Sequence, residues 1–183
     1  MKLKKANAVL GLITIVMLII HAGYQMVAYV KFVHNEGVTM ALAAVILVFM
    51  LIHMILALTI VTIAGEGTDI TGYPRDNMRT IIQRASAIGI MVFLIGHLYA
   101  YDILTSSSAG LILSSIIQIL FFGMIFIHIA TSFSNGLITL GLLQSETKKK
   151  VLDRAMAAMC SVAFAAVCII TIRTYAMLAA MQN

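Results

Sequence analysis

Five long apolar segments, separated by short polar connections, dominate the hydropathy pattern of this chain. Each segment exceeds the roughly 20 residues that a helix needs to cross about 30 Å of hydrocarbon. The pattern therefore predicts an all-α membrane protein, with residues 1–183 forming a single integral membrane domain. We expect transmembrane helices I to V over residues 6–30, 38–64, 80–101, 110–143 and 151–178.

Composition supports the membrane assignment. Hydrophobic residues make up 62% of the chain and charged residues 10%, and the mean hydropathy is +1.05, which is far more apolar than a soluble domain of this size. The basic residues lie at the ends of the apolar segments rather than along a solvated face. We therefore expect membrane lipid, and no nucleic acid, among the partners.

The distribution of positive charge predicts the orientation. An alternating five-helix topology places ten lysines and arginines on the side of the N-terminus and two, Lys31 and Arg173, on the other side. Because cytoplasmic loops carry the excess of Lys and Arg, we expect a multi-pass protein of the cell membrane with a cytoplasmic N-terminus and an external C-terminus.

Helices I to IV each carry one histidine inside the apolar segment: His21, His53, His97 and His128. At about 1.5 Å per residue, His21 and His97 lie roughly 22 and 26 Å along helices that run outward, whereas the other two lie roughly 12–21 Å above the cytoplasmic end. We therefore predict an outer pair, His21 with His97, and an inner pair, His53 with His128. The fifth histidine, His34, falls in a predicted outer loop, and no internal repeat is apparent beyond the recurrence of histidine.

Two pairs of histidines on four helices are typical of a four-helix bundle that holds two bis-histidine b haems. A neutral imidazole is a good axial ligand of haem iron, and ligation removes the cost of an ionisable group in lipid. The alternatives are histidines that only hydrogen-bond between helices, a proton path, and zinc. Helices I to IV contain no Asp, Glu or Lys that would continue a proton relay, and a pair supplies only two of the ligands of zinc.

Two stretches resemble a known family. Residues 82–102, IQRASAIGIMVFLIGHLYAYD, and 132–154, SFSNGLITLGLLQSETKKKVLDR, are similar to segments of the di-haem cytochrome b membrane-anchor subunits of succinate dehydrogenase and fumarate reductase. The resemblance implies two b haems with the four histidines as axial ligands, quinone chemistry, and a cytoplasmic flavoprotein and iron–sulfur partner. His128 lies about one helical turn further from the Asn-Gly pair than is common in the family, and the helix without a histidine is the last rather than the middle one.

Polar residues gather at the cytoplasmic ends of helices III and IV. They are Gln83, Arg84, Ser132, Ser134 and Asn135. They are placed to hydrogen-bond a quinone headgroup or haem propionates, or they are ordinary polar residues at the membrane interface. Arg84 is the best candidate for cofactor binding, because a guanidinium holds a propionate through two hydrogen bonds.

Two functions fit these features. The first is a b-type cytochrome that transfers electrons across the membrane, as an electron-transfer subunit rather than a stand-alone enzyme. The second is a membrane haem-binding protein for haem sequestration, detoxification or oxidative-stress defence. Helix V lacks an intramembrane histidine but is rich in alanine, so we expect it to pack against the bundle or against a second copy in a homodimer.

Overall fold

The computed structural model describes residues 2–31, 33, 35–64, 74–100 and 107–182, and nearly all of these residues are helical. The described helices are α1 (Lys2–Lys31), α2 (Glu36–Ala64), α3 (Pro74–Tyr99), α4 (Ser108–Leu140) and α5 (Glu146–Gln182). Each is long and apolar enough to cross a membrane, and the described residues contain no strand. The prediction of five apolar helices long enough to span a membrane is confirmed. His34 and Tyr101 lie outside the described residues.

Polar side chains cap the N-termini of α2, α4 and α5 before the apolar segment of each helix begins. Asn35 accepts the backbone N–H of Val38 at 3.1 Å through Oδ1 and caps α2. Ser107 accepts the N–H of Gly110 at 3.1 Å and caps α4. At α5 the Ser145 hydroxyl lies 3.4 Å from the N atom of Lys148. These side chains satisfy N–H groups that the first helical turn leaves without a partner, which explains why α5 begins five residues before the predicted helix V.

The C-terminal end of α4 comes earlier than predicted. Gly141 adopts φ 80°, a left-handed conformation that favours glycine. The N–H of Leu142 donates to Leu137 O, and that of Gly141 donates to Ile138 O, both at 2.9 Å. This is the Schellman hydrogen-bond pattern, so α4 stops at Leu140 although the apolar segment continues to residue 143.

The chain divides into two compact units. The first unit contains residues 1–78 and 132–154. In it α1 and α2 pack along each other as the first hairpin, and the Ser134 hydroxyl of α4 donates to Asp153 Oδ1 of α5 at 2.6 Å. The second unit contains residues 79–131 and 155–183, in which α3 and α4 form the second hairpin.

A buried stripe on α4 organises the second unit. Its members follow steps of three and four residues, and they are Leu111, Ser114, Gln118, Phe121 and Ile125. This spacing keeps one face of a helix against a neighbour. Two glycines of α3 lie against the same helix: a Cβ at Gly96 would lie 2.7 Å from Ile117, and one at Gly89 would lie 2.7 Å from Met124.

Helix α5 packs on α4 in the second unit through Phe164, whose ring centroid lies 6.1 Å from that of Phe126. The buried face of α5 consists of larger or polar side chains: Cys160, Val167, Thr171, Thr174 and Tyr175. Most of the alanines that the sequence marked as packing residues are instead exposed: Ala155, Ala157, Ala158, Ala165 and Ala166. The face that α5 buries within this chain therefore does not consist mainly of alanine, and the contact of the alanines with a second copy stays a prediction.

Candidate cofactor site

The inner histidine of the first hairpin, His53, reaches from α2 to the start of α1. Its Nδ1 lies 3.1 Å from the backbone carbonyl oxygen of Asn7. The imidazole ring lies over Gly11, where an added Cβ would be 3.1 Å from Cε1 of the ring. Glycine at this position therefore gives the ring its place against the α1 backbone.

His128 makes the corresponding contact in the second hairpin. Its Nδ1 lies 3.0 Å from the backbone carbonyl oxygen of Gln83 on α3 and 3.3 Å from Ser86 Oγ. The Ser86 hydroxyl is buried and donates to the same carbonyl at 2.9 Å. One α3 carbonyl thus anchors both side chains.

His97 is held by a side chain instead of the backbone. Its Nδ1 lies 2.7 Å from Gln118 Oε1 on α4. The ring stacks on Phe121, with centroids 4.7 Å apart and an angle of 24° between the ring planes. Phe122 meets it edge-on at 6.3 Å. The hydrogen bond and the two aromatic rings restrict both the tilt and the rotation of this imidazole.

These contacts determine the tautomers. A carbonyl oxygen only accepts hydrogen bonds, so Nδ1 of His53, His97 and His128 carries the proton and donates it. The lone pair of a neutral imidazole then lies on Nε2. Metal-ligating histidines have the same arrangement, in which the second ring nitrogen donates to a carbonyl or carboxylate and fixes the ring.

Within each hairpin the two histidines lie at different heights along the helices. In the first hairpin His53 contacts Asn7 and Gly11, and His21 comes ten residues after Gly11, which is about 15 Å along the helix. In the second hairpin His128 meets Gln83, 14 residues before His97, or about 21 Å. Two imidazoles on one iron must face each other across a single macrocycle, so neither hairpin can hold one haem with its own two histidines.

The spacing of these residues is nearly the same in both hairpins. The carbonyl that accepts the imidazole N–H belongs to a residue 14 positions before the histidine of its own helix, Asn7 before His21 and Gln83 before His97. The separation between this histidine and the one on the following helix is 32 residues in the first hairpin (His21 to His53) and 31 in the second (His97 to His128). The two hairpins therefore have equivalent groups at equivalent positions along their own helices.

A second pair of contacts follows the same spacing. In the first hairpin Gln25 Nε2 donates to Thr39 Oγ1 at 3.0 Å, and in the second the Ser114 hydroxyl donates to Ala100 O at 2.9 Å. Both hydroxyl residues come 14 positions before the histidine of their own helix. The stretch VMLIIH at residues 16–21 matches VFLIGH at 92–97 in four of six positions. This repeat is hard to recognise in the sequence, because almost any apolar residue fits the positions between the polar contacts and few residues are identical in the two hairpins.

Two further polar groups lie in the first hairpin. His21 is half-buried on α1. The side-chain oxygen of Asn7 is buried and makes no hydrogen bond to the described part of the chain. A buried polar atom of this kind needs a partner, so the start of α1 is a place where a polar ligand group would be stabilised.

The polar residues predicted at the cytoplasmic ends of helices III and IV have different surroundings. Arg84 is half-buried on α3, next to Gln83, whose carbonyl already accepts from His128. Ser134 is buried and uses its hydroxyl to join α4 to α5 through Asp153. Ser132 and Asn135 are half-buried members of the first unit, whereas Gln83 and Arg84 belong to the second. Ser134 thus has a helix-packing contact that the sequence did not predict.

Among the described residues, no group of three or more His, Cys, Asp or Glu side chains could hold a metal ion. A structural zinc site takes four protein ligands. Haem places a smaller demand on the protein, because the porphyrin supplies four of the six iron ligands and a pair of imidazoles supplies the rest.

Sequence reasoning missed the groups that orient the histidines. The carbonyls of Asn7 and Gln83 carry no signal in the sequence, since every residue has one. Gln118 did carry a signal: an amide in the middle of an apolar helix needs a partner as much as a histidine does. Gln118 lies ten residues before His128 on α4, or about 15 Å along the helix. The contact to His97 is therefore at a different level of α4 from His128.

The chain matches no protein-family profile, no curated protein and no solved structure.

Proposed function

We propose that this protein is a membrane b-type cytochrome that binds two haems, each between two histidines, and transfers electrons across the membrane. His21 and His97 are the axial ligands at the outer level, and His53 and His128 are those at the inner level. The four helices that carry them form the haem-binding bundle, with α5 packed outside it. The protein acts as an electron-transfer subunit.

One observation supports the proposal above the others. Three imidazoles inside apolar helices each donate from Nδ1 to an oxygen atom, at 2.7–3.1 Å. A neutral imidazole that donates from Nδ1 carries its lone pair on Nε2, so each of these three rings is in a tautomer that a metal ligand can use. This donor set fits haem iron, whose axial ligand is the Nε2 lone pair of a neutral imidazole.

The protein residues have separate tasks in this function. The imidazoles bind iron, and the oxygen acceptors hold their orientation and raise their basicity. The apolar helices exclude water and lower the dielectric around the bound group. Arg84 is proposed to hold a propionate, and the buried oxygen of Asn7 is proposed to accept from a polar edge of a ligand. When bound, haem supplies one-electron exchange between ferric and ferrous iron.

Positive charge at the helix ends supports a cytoplasmic N-terminus and an external C-terminus in the cell membrane. Electrons would then enter from a cytoplasmic flavoprotein or iron–sulfur partner, or from quinone. Both electron donors rest on the resemblance to the succinate dehydrogenase and fumarate reductase anchors. The arrangement of the histidines in two pairs does not by itself select either electron donor.

Electron transfer is testable in sealed vesicles. The purified holoprotein is reconstituted into phospholipid vesicles that contain trapped ferricyanide, and dithionite is added outside. We expect haem-loaded vesicles to reduce the trapped ferricyanide faster than vesicles without protein, with the His97→Ala variant as the matched control that lacks the outer ligand pair. A holoprotein that keeps its haem but reduces ferricyanide no faster than empty vesicles would favour haem sequestration or detoxification instead.

A further inference from the structure

In the second hairpin, a side chain of the neighbouring helix holds the histidine that we assign to the outer level. Gln118 is 6% exposed, lies in the apolar middle of α4, and places Oε1 at 2.7 Å from His97 Nδ1. The inner histidines of both hairpins rely on backbone carbonyls at 3.0 and 3.1 Å. The contact to His97 is therefore the shortest of the three. It is also the one whose acceptor is a side chain, so an amino-acid substitution can remove that acceptor.

The corresponding position in the first hairpin cannot make this contact. Ten residues before His53, as Gln118 is ten before His128, the chain has Ala43. A methyl group neither donates nor accepts a hydrogen bond. The amide is thus specific to the second hairpin and is not part of what the repeat requires.

We propose that Gln118 is a positioning residue for His97 and sets the reduction potential of the outer haem apart from that of the inner haem. This inference rests on the proposed function. The amide oxygen fixes the proton of His97 on Nδ1, directs Nε2 to iron and raises the basicity of the ligand. A more basic imidazole stabilises ferric iron over ferrous iron, so the potential falls.

Burial strengthens the hydrogen bond between the Gln118 amide and His97, and it makes loss of that bond destabilising. A buried hydrogen bond is stronger electrostatically than a solvated one, and an N–H left without an acceptor loses its hydration without compensation. Phe121 and Phe122 around the His97 ring leave few other orientations for it. Removing the amide therefore alters the basicity of the His97 imidazole, while the two phenylalanine rings still enclose it.

The test is a redox titration of the purified holoprotein, followed by low-spin electron paramagnetic resonance. In Gln118→Met the acceptor is lost, and we expect one of the two haem components to move to higher potential while the other stays. A tenfold weaker preference for ferric iron corresponds to about 59 mV for a one-electron couple. In Gln118→Glu a stronger acceptor is present, and the same component should move to lower potential with a changed low-spin signal.

Gln25→Met is the matched control. Gln25 is also an intramembrane glutamine, and its Nε2 donates to Thr39 Oγ1 across the first hairpin. We expect both potentials to be unchanged. In a His97→Ala background, Gln118→Met should cause no further change in the remaining component, because the two substitutions remove one interaction.

The outcomes separate this inference from the proposed function. A wild-type protein without haem would overturn the proposed function. Two low-spin haems whose potentials are the same in wild type, Gln118→Met and Gln118→Glu would overturn the role of Gln118 alone. Failure of both Gln118 variants to accumulate in the membrane, while Gln25→Met accumulates normally, would assign Gln118 to folding and would also overturn it.

Discussion

The two helical hairpins have the same arrangement of polar groups and support it in different ways. In the first, His53 depends on a backbone carbonyl and on the missing side chain of Gly11. In the second, Ser86, Gln118 and Phe121 add side-chain contacts around the histidines. The most apolar 18-residue stretch of α4 has 28% of its residues buried, and those of α1 and α2 have none.

This difference separates what the backbone provides from what side chains adjust. In both hairpins a backbone carbonyl 14 residues before the histidine of its own helix lies within hydrogen-bond distance of the imidazole of the other helix. Side chains then make the second hairpin more specific, since they restrict the ring and alter the strength of its hydrogen bond. We therefore expect substitutions in the first hairpin to disturb its histidines mainly by filling the space around the ring. Substitutions in the second hairpin should also alter the hydrogen bonds of the ring.

The largest effect is expected from the histidines themselves. Alanine at any one of the four should remove one of two haem components and about half of the bound haem, because bis-histidine ligation needs both partners. His53→Ala and His128→Ala should remove the same component, and the double variant should lose no more than either. Redox titration with haem quantification measures this, with His34→Ala as the control. A common component lost in both His21→Ala and His53→Ala would mean that one hairpin holds a haem alone.

Gly11→Val tests the role of space in the first hairpin. An added Cβ would lie 3.1 Å from the His53 ring, so the ring or α1 must shift. Overpacking of this kind costs about 1–3 kcal/mol, and we expect a roughly 5- to 150-fold loss of affinity for the inner haem with the outer haem retained. Gly136→Val is the matched control, since a Cβ there meets nothing within 4 Å. Equal haem affinity in both variants would show that Gly11 does not seat His53.

A pair of glycines on α3 compares a stiff neighbour with a flexible one. A Cβ at Gly96 would lie 2.7 Å from Cγ2 of Ile117, and one at Gly89 would lie 2.7 Å from Sδ of Met124. Methionine adapts its side chain, whereas the branched Cβ of isoleucine does not. Gly96→Ala should therefore destabilise the protein by about 1–3 kcal/mol and Gly89→Ala by less. Thermal unfolding in detergent measures both, and the reverse order would contradict the close approach at Gly96.

The smallest effect concerns the caps that start the second helix of each hairpin. Asn35→Ala and Ser107→Ala each remove one acceptor at a helix N-terminus, which typically costs about 1 kcal/mol. The two losses should be similar, because both caps are exposed and neither touches a histidine. Unfolding of Asn35→Asp, which keeps the acceptor, is the control. A much larger loss in one hairpin would show that its cap has a role beyond the helix end.

The sequence was informative where the residue type alone indicates the environment or the role of a residue. Long apolar segments predicted the five helices, and histidine in hydrocarbon marked the candidate ligands. Helix ends were less predictable: Glu146 starts α5 in a charged stretch, and the left-handed conformation of Gly141 ends α4 inside an apolar one. Hydropathy reports the hydrocarbon region, whereas caps and backbone angles determine where the helix begins and ends.

Contacts between helices were the least predictable part of the site. That Gln118 meets His97, and that Ser134 meets Asp153, depends on the register of two helices, which the sequence does not give. The alanines of α5 show the same limit. Small residues permit a close contact on any face, and within this chain α5 buries Cys160 and Val167 whereas most of its alanines are exposed.

The most direct test of the central claim is the haem content of the purified protein. The protein is expressed with haem in excess, purified in mild detergent, and assayed as the pyridine haemochrome against protein concentration, together with a reduced-minus-oxidised spectrum. We predict about two b haems per chain with the low-spin spectrum of bis-imidazole ligation. Protein without haem, or with well under one per chain, would contradict the assignment of the four histidines as haem ligands.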